Sequence, residues 1–129
     1  MIVKRILILQ LICLFLTSCS KNKPLVANSL ALNATYNAGK IASADMLIKH
    51  TFLLKSTGDA DLKIDTVVAS CDCVTINWQK GPIKPGNTGY ISVVVKPNPA
   101  SKGNKVAKYV MVKTNAIKPL TAFSVFFTM

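Results

Sequence analysis

Beyond residue 30 the chain is cut into short apolar stretches by clusters of turn residues, and this rhythm limits its possible folds more than any other feature. Val, Ile, Thr, Phe and Tyr dominate the stretches, and Gly, Pro, Asn and Asp gather between them, as in short strands joined by turns. The clearest stretch is Ile48-Lys49-His50-Thr51-Phe52-Leu53-Leu54-Lys55. Side chains alternate across a strand, so Ile48, His50, Phe52 and Leu54 share one face and Lys49, Thr51 and Lys55 lie opposite. Ser56 to Asp61 turns the chain, and Leu62, Ile64, Thr66 and Val68 are expected to line the next strand against outward Lys63 and Asp65. Gly81-Pro82-Ile83-Lys84-Pro85-Gly86-Asn87 cannot belong to a central strand. Further strands are expected at 88–96, 105–113 and 120–128, with a loop over 97–104. A leading strand near 30–36 brings the total to about seven.

Such a run, with no amphipathic helix to cross between strands, predicts an all-β fold, an immunoglobulin-like antiparallel β-sandwich over residues 30–129. At 129 residues the chain has room for one such domain. The residues before it read as an address. Lys4 and Arg5 form a positive start, and Ile6 to Leu16 is apolar except for Gln10. That run is too short to span about 30 Å of hydrocarbon as a stable helix, and reads as a signal peptide over residues 1–18. Leu16-Thr17-Ser18-Cys19 then resembles the lipobox of bacterial lipoprotein precursors. The resemblance implies cleavage before Cys19 and a diacylglyceryl group on its thiol, with palmitate or a similar acyl chain on the new amine. Residues 19–29 would be a lipidated polar tether. Two or more acyl chains hold a protein to a bilayer stably where one is marginal. Ser20 after the cysteine, by resemblance to enterobacterial sorting, implies an outer-membrane anchor with the domain facing the periplasm.

The formal net charge is +11. Loss of Lys4 and Arg5 with the leader leaves 14 lysines against five aspartates, a net +9. Arg5 is the sole arginine, so the guanidinium fork that reads phosphates and guanine edges is absent after processing, which argues against nucleic acid as a partner. The dispersed lysines read as solvated strand faces and edges that discourage aggregation.

A series of landmarks stands in a fixed order: His50-Thr51-Phe52, Ser56-Thr57-Gly58, Leu62-Lys63-Ile64, Ser70-Cys71-Asp72-Cys73, Trp78 and Pro82-Ile83-Lys84-Pro85-Gly86. Together they resemble the domain-of-unknown-function family 1573, exported immunoglobulin-like domains often carried on bacterial lipoproteins, over roughly residues 46–115. The resemblance implies fold and compartment but no chemistry. The family usually has glycine between its two cysteines, where this chain has Asp72.

With Cys13 in the leader and Cys19 on the anchor, Cys71 and Cys73 are the thiols left for an oxidising envelope. Three readings of the pair stay open: a local disulfide or two quiet thiols, a soft-metal site for copper or zinc completed by His50, and thiol–disulfide exchange. A bridge there needs a local bend, because residues two apart on a regular strand are near the upper limit of separation for a disulfide. His50, the sole histidine, is expected to pack inward. Trp78 is either a plug for one end of the sandwich or an exposed binding aromatic. Glutamate is absent, the five aspartates are scattered, and no nucleophile elbow or phosphate-binding glycine pattern occurs. The sequence therefore predicts no enzyme and no required cofactor. It favours a membrane-anchored interaction or structural module with an envelope protein or glycan as partner, the alternative being metal-handling or thiol-redox work at Cys71, Cys73 and His50.

Overall fold

A computed structural model describes residues 25–129 and, outside that range, Val3. The signal peptide over 1–18, the lipidation site Cys19 and most of the tether lie outside the described residues. Among the described residues, eight strands form two four-stranded sheets: β1 (Ser29–Leu32), β2 (Thr35–Lys40), β3 (Ile48–Ser56), β4 (Ile64–Ala69), β5 (Val74–Trp78), β6 (Thr88–Val95), β7 (Lys105–Thr114) and β8 (Leu120–Thr128). One sheet has the order β1-β3-β6-β5 and the other β2-β8-β7-β4. This is the immunoglobulin-like arrangement, with its leading strand divided between the sheets. No helix among the described residues is long and apolar enough to cross a membrane.

The leading strand explains why eight elements stand where about seven were expected. Residues 29–40 form two strands because the chain changes sheets at Asn33, which holds a left-handed φ of 55°, a conformation asparagine tolerates better than most residues. β1 then pairs antiparallel with β3, whereas β2 runs parallel to β8. The sandwich is thus antiparallel throughout except at this one edge. The expected tether also ends sooner. Val26 accepts from the N–H groups of Asp59 and Ala60, Asn28 accepts from Thr57, and Ala27 is buried. Backbone groups of residues 26–28 thus find partners on the domain, which fixes them as part of it.

A second difference lies in β4. Its pairing with β7 shifts between Ile64 and Thr66, and the extra residue reverses the facing of the rest of the strand. Val67 points inward and is buried, while Thr66 and Val68, expected inside, face solvent. The remaining alternation agrees with the sequence. Ile48, Phe52 and Leu54 from β3, Ile91, Val93 and Val95 from β6, Val110 and Val112 from β7, and Phe123, Val125 and Phe127 from β8 form one core between the sheets.

The two ends of the sandwich are closed differently. At the end where residues 25–28 enter, Leu62 and Ile83 exchange backbone hydrogen bonds of 2.8 and 2.7 Å and are both fully buried. Ile83 is the one inward side chain of the Pro-Gly connection, and a Cβ at Gly89 would collide with it. The loops 41–47, 70–73 and 96–104 close the far end, and Pro99–Ser101 forms a 3-10 turn capped by Asn98.

Gly58 lies directly under the entering segment, where a Cβ would strike the Val26 carbonyl oxygen and approach the Asn28 nitrogen to 2.6 Å. Backbone cannot yield as a flexible side chain does. Gly58→Ala is therefore expected to lower stability by about 1–3 kcal/mol, read from urea unfolding.

Candidate functional site

Cys71, Asp72 and Cys73 occupy the crossing between β4 and β5, the edge strands of opposite sheets. The Ser70 N–H donates to the Tyr109 carbonyl oxygen at 2.9 Å, and the Ser70 hydroxyl accepts from the Tyr109 N–H at 3.0 Å. On the other sheet, the Lys96 N–H donates to the Cys73 carbonyl oxygen at 2.8 Å. The crossing is thereby fastened to both sheets. Between the fastenings, Val74 N–H donates to the Cys71 carbonyl oxygen at 3.3 Å, forming a turn that draws the two cysteine Cα atoms to 5.3 Å and joins them in a disulfide. The bend needs no left-handed residue: Asn33 is the non-glycine with positive φ among the described residues. Aspartate thus serves at the position where the sequence resemblance implies glycine. Both cysteines are half-buried against the core and Asp72 is exposed.

His50 is elsewhere. Its ring stacks on Tyr36 of β2 at a centroid distance of 3.9 Å and 9° between planes, and meets Phe52 edge-on at 4.6 Å. It thus packs between β3 and β2, the inward position expected of it. Burial disfavours its charged form and lowers its pKa below 6.5. Along the sheet, His50 pairs with Val93, which pairs with Ile76. Two strand spacings, about 10 Å, and roughly three residues along β5 therefore separate it from Cys73, far beyond metal bonds of about 2.0–2.3 Å. No group of three His, Cys, Asp or Glu side chains that could hold a metal occurs among the described residues. The metal set Cys71, Cys73 and His50 is not assembled.

Trp78 ends β5 opposite Ile91, half-buried against the core. Its Nε1 is enclosed without a hydrogen-bond partner, and the Lys80 ammonium sits 2.9 Å above its ring, a cation–π contact. The indole serves as packing at the sandwich margin, with one face already covered by lysine.

The surface that residue-by-residue reading missed is the outer face of the β2-β8-β7-β4 sheet. Val68 is 58% exposed, Tyr109 51%, Met111 45%, Leu120 60% and Phe126 36%. Register makes them neighbours: Val68 lies beside Met111, Met111 beside Ala122, Tyr109 beside Ser124, and Ala107 beside Phe126. The Tyr109 and Phe126 rings meet edge-on at 6.4 Å. Lys105 and Lys113 stand at the two ends of β7, leaving the centre of the face uncharged. The signal was present in alternate residues Tyr109, Met111 and Leu120, Ala122, Phe126. The bulge at Ile64, which turns Val68 outward, was not visible.

A family model described as "Protein of unknown function (DUF1573)" matches residues 31–126. No curated protein matches the chain. Among solved structures, a protein of unknown function from Porphyromonas gingivalis W83 is similar over 88% of this chain and 51% of its own, with TM-score 0.70 and 16% identity. The chain thus spans about half the length of that protein. The ASH/PapD-like domain 7 of human CEP192 is similar over 84% of this chain and 89% of its own, with TM-score 0.62 and 11% identity. The secreted serine protease VesC from Vibrio cholerae is similar over 84% of this chain but 23% of its own, with TM-score 0.56 and 9% identity. At these identities the likeness is one of fold.

A disulfide closing so short a loop removes little chain entropy. Cys71→Ser with Cys73→Ser is expected to cost about 1.6 kcal/mol or less, and in the chain from residue 19 with Cys19→Ser no free thiol should titrate on unfolding before reduction. For His50, the folded pKa lies below the unfolded value, so the unfolded chain binds more protons in the acid range. Its contribution to stability is complete above pH 6.5 and declines as pH falls through the folded pKa. In His50→Phe this slope in urea-unfolding midpoints is expected to vanish.

Proposed function

The chain belongs to the DUF1573 family, and we propose that it is a non-catalytic interaction module held at a bacterial envelope membrane by lipid on Cys19. The observation that carries the interaction role is the outer sheet face of Val68, Tyr109, Met111, Leu120 and Phe126. In a chain of net charge +11, dispersed lysines suffice for solubility, and folding gains little from aromatic rings left in water. Exposed contiguous apolar patches of this kind are the usual mark of protein-binding surfaces. A flat four-stranded face with Tyr and Phe at its centre and lysine at its ends suits a partner that is apolar in the middle and acidic at the rim.

The anchor draws its support from the sequence: a basic start, an apolar run and Leu16-Thr17-Ser18-Cys19. Ser20 after the cysteine, by resemblance to enterobacterial sorting, supports an outer-membrane anchor with the domain facing the periplasm. A protein partner suits the face better than a glycan, since its centre is built of Val68, Tyr109 and Met111, and the Oδ1 of Asn37 beside Phe126 already accepts from the Gly39 N–H. The metal-handling alternative loses the support it drew from His50. Thiol exchange at Cys71 and Cys73 keeps only the half-exposure of the bridge.

Photo-crosslinking in intact envelopes tests the reading. A benzophenone residue replacing Tyr109 or Phe126 is expected to trap one discrete envelope protein. The same probe at Thr51, on the outer face of the other sheet, is expected to trap none. Equal trapping from both faces, or none from either, would remove the interaction role. The anchor is checked by the mass of the Cys19 peptide from native membranes, which should carry the acyl chains.

A further inference from the structure

The end of the sandwich where the chain enters carries further exposed apolar side chains, and it shares with the sheet face only Leu120, the first residue of β8. Leu25 is 75% exposed, Ile117 70% and Leu120 60%. Ile117 N–H donates to the Ala27 carbonyl oxygen at 3.2 Å, so the loop between β7 and β8 lies against the entering strand. That loop is fixed from within. Asn115 Oδ1 accepts from the Lys63 N–H at 2.8 Å, Asn115 Nδ2 donates to the Asp61 carbonyl oxygen at 3.0 Å, and the N–H of buried Ala116 donates to Thr114 Oγ1 at 3.2 Å. Its backbone is satisfied and its alanine packed, yet isoleucine stands in water at its apex. Lys63 and Lys118 flank the loop, both exposed, while Asp61 is engaged by Lys84 at 3.7 Å.

Six residue steps lead from Cys19 to Leu25. Fully extended they reach no more than about 21 Å, so with lipid on Cys19 this end is confined next to the bilayer, and the far end, a strand length away, is not. We infer that this end is a membrane-docking surface: Leu25, Ile117 and Leu120 enter the headgroup region of an anionic bilayer, and Lys63 and Lys118 meet its lipid phosphates. Apolar side chains that sink into the interface beside cations that stay at headgroup level are the general recipe for peripheral attachment. Docking holds the sandwich upright and leaves the rest of the outer sheet face, with Val68, Tyr109, Met111 and Phe126, running away from the membrane along β7 and β8 and open to its partner. The inference rests on the lipid-anchor reading for its geometry, but the surface itself is tested without the lipid.

Both sheets and the whole core lie within residues 25–129, so the chain from residue 19 with Cys19→Ser keeps the complete fold. Mixed with vesicles of phosphatidylcholine containing phosphatidylglycerol, this chain is expected to sediment with them, and to bind phosphatidylcholine vesicles at least about tenfold more weakly. Ile117→Asp with Leu120→Asp, and separately Lys63→Glu with Lys118→Glu, should each weaken binding about tenfold. Lys96→Glu with Lys102→Glu, at the far end, changes net charge as much and should leave binding near the parent value. Thermal melts confirm that each variant is folded. Absence of binding to the anionic vesicles, or an equal loss from charge reversal at either end, would overturn the inference. Anchorage fails on a different observation, an unmodified Cys19 in native membranes.

Discussion

The packing of Phe52 against Phe123, with ring centroids 4.8 Å apart and 36° between planes, holds the two sheets at their working distance. Phe52 belongs to β3 and Phe123 to β8, each an inner strand of its sheet, and both are almost wholly buried. Aromatic pairs at such offsets contribute about 0.5–1.5 kcal/mol beyond the area they bury. Their larger effect is geometric. With the centre fixed, Leu54, Ile91 and Val93 from one sheet and Val110, Val112 and Val125 from the other interdigitate around it, as inner faces of a sandwich do. His50 and Tyr36 continue the aromatic line toward the open edge, so the imidazole reads as the last ring of a core stack and not as a ligand.

The strand positions, the single core and the inward face of β3 were legible because alternation with period two leaves a direct trace in the sequence. What was not legible had a structural cause in each instance. The division of the leading strand depends on a single left-handed residue, Asn33, within a stretch that otherwise reads as continuous. The parallel pairing of β2 with β8 depends on that division. The bulge between Ile64 and Thr66 adds one residue to one strand and leaves no compositional mark, yet it exchanges the facing of Thr66, Val67 and Val68. The docked segment Val26–Asn28 resembles a polar linker because its hold on the domain is through backbone groups, which every residue has. For the site, spacing alone placed Cys71 and Cys73 together, since nothing but the local turn is involved. Bringing His50 to them would have required knowledge of strand order, and the order puts β3 and β5 on opposite sides of β6.

The two sheets differ in how they meet solvent. On β3, Lys49 and Lys55 flank the outward Thr51 and Leu53, so the apolar neighbours of Leu53 on that face, Leu32 and Tyr90, lie beside charge on the same strand. On β8, Leu120 to Met129 contains no charged residue at all, although alternate positions face water. An exposed strand without charge is a hazard at a sheet edge, where unpaired backbone groups invite another chain. Here β8 is an inner strand, paired on one side by β2 and on the other by β7. The switch of the leading strand at Asn33 supplies that cover. Without β2, an uncharged and partly aromatic strand would be an open edge. With it, the same side chains present a flat face whose backbone is already satisfied. Contact is then limited to side chains, which allows a specific partner and disfavours indiscriminate strand addition.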